Sequence, residues 1–408
     1  MNHLLIVGRK FSSLTHYLTD NGIEYTVLKD KLEAVSPEKK LKHRVVCDFS
    51  SRETVLKAVD SIKHPIDGVI TTYENYVLPA AWIAEYLNLP AISEAAALAC
   101  TDKFLMRQAF ARAPEKISPD FAIADSIQEA LTFARNHRFP LILKPANLAK
   151  SLLVTKSHTE EELIENYVRT AVQIEGVYNK YAPNRTPKMV IEEFLEGSIH
   201  SVDAFVNAAG DPLILESVVD YESGYDIGYD DNFHYSRLLP SRLSPNELTR
   251  LRHCAELGIR ALGMTNCPAH VEIIVTNDGP RIVEIGARNG GYRERMHRLA
   301  NGVDITGAAV SLALGKAPEV TVQRNESCAV LELFPKTPGR FVSISCYDDL
   351  KKLSSLQYVS LKVQPNDFVG KSSDGYKMCA VVILHNVNHK VFAKDLAFVN
   401  GHVAVVTR

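Results

Sequence analysis

Two glutamates flank a tight turn in this sequence. Glu272 lies in Ala-His-Val-Glu-Ile-Ile-Val (269–275) and Glu284 in Arg-Ile-Val-Glu-Ile-Gly-Ala-Arg (281–288), with Asn277-Asp278-Gly279 between them. Such a turn between apolar runs predicts a hairpin. Pairing across it would set both carboxylates on one sheet face, within reach of a common ion. Hard oxygen ligands of this kind suit Mg²⁺, which in nucleotide sites takes one or two carboxylates plus phosphate oxygens. Arg288 follows Glu284 by four residues. Its guanidinium suits a bidentate grip on a phosphate or acyl-phosphate oxygen.

A nucleotide also needs cations and an adenine edge. Phe139-Pro-Leu-Ile-Leu-Lys-Pro-Ala (139–146) sets Lys144 at the end of a continuously apolar strand, where an ammonium is costly without an anion. Met189 to Gly197 is an apolar strand that ends in Glu192, Glu193 and a glycine. Its backbone suits a hinge that reads a base. Taken singly, each of these residues is as well explained by a solvated strand end or a salt bridge.

The elements that position them fall into stretches. Leu4–Val7, Glu24–Leu28, Arg44–Cys47 and Gly68–Thr71 read as strands that alternate with helical patterns at Thr15–Asn21, Arg52–Ile62 and Val77–Leu87. That alternation predicts βαβ units and a mostly parallel sheet. The first turn, Gly-Arg-Lys-Phe-Ser-Ser, lacks the G-x-G-x-x-G fingerprint, so no dinucleotide is expected there. Ala95–Arg112 reads as one long helix, and Thr159 to Glu162 as a capping box. Strands near 188–193, 199–207 and 212–220 precede a Gly/Asp/Tyr-rich loop, Tyr221–Ser236. After Pro318 the pattern is a separate β-rich tail. The expected class is α/β with α+β character, divided at 1–92, 93–197, 198–318 and 319–408.

Composition narrows the function. The 408 residues are 46% hydrophobic and 23% charged, with a net charge of −2, as in a folded chain of two to three domains. There is no basic field for nucleic acid or an anionic membrane. Seven scattered cysteines without C-x-x-C predict a reduced compartment rather than disulfides or structural zinc. No apolar run approaches a membrane span, and the four-residue apolar start is too short for a signal peptide. A soluble cytoplasmic protein is expected. No G-x-S-x-G is present, and Gly370-Lys-Ser is not a P-loop because Pro365 stands at the required first glycine.

In this order, Lys103, Lys144-Pro, Glu192–Gly197 and Glu272/Glu284/Arg288 resemble the ATP-grasp superfamily, and within it the carboxylate–amine ligases, most of all the bacterial L-amino-acid (dipeptide) ligases. Ile70–Val77, Thr101–Arg107 and Glu284–Gly291 carry the likeness further. It implies an ATP-grasp fold with an N-terminal parallel αβ pre-ATP-grasp domain, a two-lobed core and a small β-rich C-terminal subdomain. It also implies amide formation through an acyl phosphate, with ATP and Mg²⁺ (Mn²⁺ as a substitute), small-molecule substrates and a homodimer. Lys103 and Lys144 would bind ATP phosphates, Glu192 and Glu193 would stand at the adenine edge, and the Leu195 backbone would read the ring. Glu272 and Glu284 would hold the metal and Arg288 the transferred phosphoryl. Glu74 would meet the substrate amino group, and Asp231 and His234 the acceptor amine. Tyr292, after Gly290 and Gly291, would limit one amino-acid pocket. Ligases of purine precursors or bicarbonate, and an ATP-binding regulator without turnover, remain alternatives.

Three positions depart from the family pattern. The loop Ala146–Leu153 lacks the glycines that let backbone N–H groups approach phosphates, which leaves Lys150 and Ser151 to close over ATP. Ile199 stands where relatives carry a ribose-binding glutamate, with His200 or Asp203 as the substitutes at hand. Gly286 stands where the wider superfamily has a metal-binding asparagine.

Overall fold

The computed structural model describes residues 2–9, 12–31, 44–148, 152–182, 185–229, 231, 233–372 and 375–408. The N-terminal strands β1 (His3–Val7), β2 (Glu24–Asp30), β3 (Arg44–Cys47) and β4 (Gly68–Ile70) form a parallel sheet in the order β3-β2-β1-β4. Every residue of β1 is buried, as expected of a parallel strand covered on both faces. Leu5 and Val7 pack against α2 (Arg52–Asp60) and α3 (Val77–Tyr86). Leu4 and Ile6 pack toward α1 (Ser12–Asp20) on the other side.

The single helix expected over Ala95–Arg112 is two, α4 (Glu94–Thr101) and α5 (Lys103–Phe110). Asp102 breaks it, extended at φ −129° and ψ 112°. Its carboxylate accepts the Phe104 and Leu105 N–H groups at 2.9 and 3.1 Å. An aspartate gains more as an N-cap than inside a helix, and the break sets Lys103 in the first turn of α5. There follow β5 (Phe121–Ile123), α6 (Ile127–Asn136), β6 (Leu141–Pro145), β7 (Thr155–Ser157), α7 (Glu160–Tyr181) and β8 (Met189–Glu193). These strands form an antiparallel sheet, β5-β8-β6-β7, backed by α6 and α7 through Phe133, Leu163 and Ile174. The Thr159 cap is offset from the expected box. Its hydroxyl accepts Glu162 N–H, but the Glu162 carboxylate takes the N–H of His158 at 2.7 Å.

The third unit contains β9 (Ser198–Val206), β10 (Pro212–Ser223), β11 (His234–Leu239), α8 (Pro245–Ala261), β12 (Cys267–Thr276), β13 (Gly279–Gly286), α9 (Arg293–Ala300) and α10 (Ile305–Ala313). The tail adds β14 (Ser327–Leu333), β15 (Gly339–Ile344), α11 (Tyr347–Leu350), β16 (Leu356–Leu361), β17 (Phe368–Val369), β18 (Ala380–Asn386), α12 (His389–His402) and β19 (Val405–Thr407). The tail is not separate from the sheet. An eight-stranded sheet runs β13-β12-β9-β10-β11-β14-β18-β16, joined to the tail by the antiparallel pair β11·β14. The loop expected over Tyr221–Ser236 is also shorter, so Tyr221 and His234 both stand on strands. One face of the sheet packs on α4, α5 and α8. The helix α10 lies between the N-terminal sheet and the large one, with Ala308 and Ala309 against Ile6 and Phe205. Among the described residues, no helix is long and apolar enough to cross a membrane.

Candidate active site

Glu272 and Glu284 are direct cross-strand partners on β12 and β13, so their side chains share a face. A register shift between Glu272 and Ile273 makes this so, because Ile273 pairs Ile282 and leaves Val283 as the extra residue of a bulge. The freed Val283 carbonyl accepts from the Arg107 guanidinium at 2.8 Å. Both carboxylates open onto a cavity of about 1720 Å³ that Lys103, Lys144, Leu195 and Arg288 also line. Glu272 Oε1 accepts from the Tyr221 hydroxyl at 3.3 Å, and its other oxygen has no hydrogen bond among the described residues. Burial opposes the Glu272 charge, but His270 and Arg288 outweigh it and hold the carboxyl well below the usual range. Two hard carboxylates with a free oxygen beside a cationic cavity fit Mg²⁺.

Lys103, Lys144 and Arg107 come from two elements, α5 and β6. Lys103 Nζ lies 3.2 Å from Glu284 Oε2 and donates to the Leu148 carbonyl at 3.0 Å. Lys144, at the end of β6, is buried and donates to Glu192 Oε2 at 2.6 Å. Arg107, 0% exposed, completes the cluster, with its Nε 2.9 Å from Glu192 Oε1. Glu192 is therefore the counter-ion of two buried cations, a duty that its expected place at the adenine edge did not include. Arg107 is the residue that sequence reasoning missed. Its only signal was a charged residue on the buried face of a helix beside Met106 and Phe110.

Arg288 Nε forms an ion pair with Glu74 Oε2 at 2.9 Å, joining the hairpin lobe to the N-terminal domain. Glycine at 286 makes the room, since a Cβ there would sit 2.7 Å from Glu74 Oε2. The other Glu74 oxygen is buried without a hydrogen-bond partner among the described residues. His234 lines the same cavity. Burial, outweighing Glu272, lowers its pKa, so the imidazole is neutral and able to accept a proton near neutral pH. Tyr292 lines the cavity in a left-handed conformation, φ +62°. Its phenol does not hang free, because it donates to Glu332 at 2.7 Å and its ring lies 5.3 Å from the Arg237 guanidinium. Gly291 also borders the cavity.

Other expected positions fall elsewhere. Asp231 is turned into its own loop, where it accepts from the Tyr235 hydroxyl and the Phe233 N–H at 2.8 and 3.0 Å, and it does not line the cavity. His200 is bound to Asp220 and Ser198, each at 2.7 Å. Asp203 is bound to His270 and His297 at 2.8 and 3.1 Å. Neither is free to replace a ribose carboxylate, and Ile199 shares the face of Glu272 by register. Glu193 accepts Asp120 N–H at 3.0 Å while still bordering the cavity. Lys150 and Ser151 lie outside the described residues. The trio Asp120, His137 and Glu193 brings its ligand atoms within 4.8 Å at the surface, but Lys116 already pairs with both carboxylates.

Known proteins resemble this chain in sequence and in fold. Residues 137–294 match the ATP-grasp domain and residues 20–91 the ATP-grasp N-terminal domain. An uncharacterized protein, y4rH, from Sinorhizobium fredii is 24% identical over 76% of this chain and 62% of its own length. Alanine–anticapsin ligase from Bacillus subtilis is 25% identical over 55% of this chain and 49% of its own length. The chain thus spans only part of the curated relatives it matches. The crystal structure of L-amino acid ligase from Bacillus licheniformis superposes with a TM-score of 0.81 at 17% identity, over 100% of this chain and 99% of that one. At that identity the likeness concerns the fold.

Proposed function

We propose that this chain, which belongs to the ATP-grasp superfamily, is an ATP-dependent carboxylate–amine ligase that joins two amino acids. One observation carries the reading: the cross-strand pair Glu272/Glu284 faces Lys103, Lys144 and Arg288 across a single cavity. Catalysis of phosphoryl transfer is mostly positioning and charge neutralisation, and these residues suit both.

Glu272 and Glu284 would hold Mg²⁺, which neutralises phosphate charge when bound; Mn²⁺ would take its place. Lys103 and Lys144 hold the phosphates, and the Leu195 backbone at the hinge reads the base. A substrate carboxylate oxygen attacks the γ-phosphorus, and the bond to the β-phosphate oxygen breaks, giving an acyl phosphate and ADP. Arg288 neutralises the transferred group, and Glu74 takes the ammonium of the same substrate. The second amine attacks the acyl carbon, phosphate leaves, and neutral His234 accepts the proton that the amine sheds. Tyr292 borders the pocket of one substrate. The likeness to the ligase family supports a homodimer, which light scattering checks.

A phosphate-release screen of all amino-acid pairs with Mg·ATP, followed by mass spectrometry, tests the reading. Dipeptide and ADP in equal amounts are expected. ATP binding without phosphate release from any pair would favour a regulatory protein instead.

A further inference from the structure

Tyr221 stands between two groups that the proposed reaction uses. Its hydroxyl lies 3.3 Å from Glu272 Oε1. Its ring lies 4.4 Å from the His234 ring, tilted by 51°. The phenol oxygen is itself held from behind, since Arg293 donates to it at 2.6 Å and His270 Nε2 lies 3.3 Å away. Arg293 is 1% exposed and also donates to Ser201 Oγ at 2.9 Å. Its Nε lies 3.5 Å from Asp203 Oδ2.

These neighbours fix the direction of the bond to Glu272. A guanidinium only donates, so the phenol oxygen accepts from Arg293 and keeps its single hydrogen, with Glu272 Oε1 and His270 Nε2 both 3.3 Å away. The hydroxyl donates to Glu272 Oε1. With Oε1 so engaged, Oε2 is the oxygen left for the cavity. On the ring side, His234 begins β11 and Tyr221 pairs with Arg237 in the β10·β11 ladder. The same tyrosine therefore touches the metal carboxylate and the imidazole.

We propose that Tyr221 is a positioning residue that couples the Glu272 carboxylate to His234: its hydroxyl sets which oxygen Glu272 presents, and its ring sets the imidazole. The inference rests on the ligase reading above. It separates into two measurable parts. Tyr221→Phe removes only the hydroxyl, keeps the ring volume, and leaves Arg293 its hydrogen bond to Ser201 and its ion pair with Asp203. Tyr221→Leu removes the ring as well.

Calorimetry of ATP binding at a series of Mg²⁺ concentrations reads the first part, and the KM of the amine substrate found in the screen reads the second. For Tyr221→Phe, about tenfold more Mg²⁺ is expected for half-maximal tightening of ATP binding, the size seen for residues that orient metal ligands. ATP affinity in EDTA and the amine KM stay as in wild type. For Tyr221→Leu, the amine KM rises as well. An unchanged Mg²⁺ dependence in a folded Tyr221→Phe protein overturns the inference, as do two variants that shift both quantities alike. A wild-type protein that binds no ATP under either condition overturns the ligase reading itself, before any variant is compared.

Discussion

Arg288 reaches across the domain boundary to Glu74, with 2.9 Å between Nε and Oε2, and it does so over a glycine. Any side chain at 286 would press on that carboxylate, since even a Cβ would lie 2.7 Å from it. The absence of the asparagine found in the wider superfamily is thus tied to an ion pair between domains. Gly286→Ala should fold normally, because the atom it meets is the movable end of a side chain. Its turnover should fall by about tenfold as Arg288 loses its orientation. Wild-type turnover in Gly286→Ala would mean that the pair does not orient Arg288.

Glu284→Gln keeps shape and removes one charge from the cross-strand pair. Losing a metal carboxylate should lower turnover by at least about 100-fold, since a bound cation contributes several kcal/mol to the transition state. The melting temperature should change little, because the Glu284 side chain is 36% exposed and its partner Lys103 can turn to solvent. Near-normal phosphate release at saturating Mg²⁺ would remove Glu284 from the metal site.

The nucleotide affinity should depend on pH through Lys144. Burial, partly offset by Glu192, lowers this lysine from 10.5 to about 8. Below that pH it is cationic in the folded and unfolded chain alike. Above it the folded protein gives up the proton first, so phosphate binding must recruit it back. ATP affinity should be flat up to about pH 8 and then fall by at most about tenfold per unit. The cost of burying the charge fades over the same window, so this group's share of stability rises with pH. In Lys144→Met, calorimetry should find the step near pH 8 gone and the affinity lower at every pH; an unchanged profile refutes the contact.

Arg107→Met removes one of the two cations that flank Glu192. Stripping a partner from a buried ion pair costs about 3–5 kcal/mol. Lys144 remains at 2.6 Å, so the loss should lie near the lower figure. Urea unfolding measures it, and a change under about 1 kcal/mol would show that Lys144 alone neutralises Glu192.

Tyr292 offers a specificity test with an internal control. Tyr292→Phe loses the bond to Glu332 but keeps the ring, so the range of accepted amino acids should stay as it is. Tyr292→Ala should admit larger residues, with small ones losing about 1–3 kcal/mol of transition-state binding. Identical substrate profiles in all three proteins would place the size limit elsewhere.

Much of the site was legible along the chain because its parts are local patterns. An apolar strand ending in lysine, a glutamate pair around Asn-Asp-Gly and the αβ alternation of the first 90 residues each record burial and turn chemistry within a few positions. The helix break at Asp102 was missed: an aspartate suits an N-cap, but helix-like residues on either side masked it.

The bulge was not legible. Counted regularly from the turn, where Thr276 pairs Gly279, Glu272 would oppose Val283 and the two glutamates would point to opposite faces. The extra residue at Val283 brings them to one face, and its free carbonyl is taken by Arg107 from a helix 176 positions away in the chain. The pairs Arg288–Glu74 and Glu192–Arg107, and the coupling of Tyr221 to Glu272, belong to the same kind. In each, a charged or polar group on one element finds its partner on another distant in sequence. A single sequence carries the local propensities that build strands and helices. Which buried charge meets which partner follows only from how those elements pack.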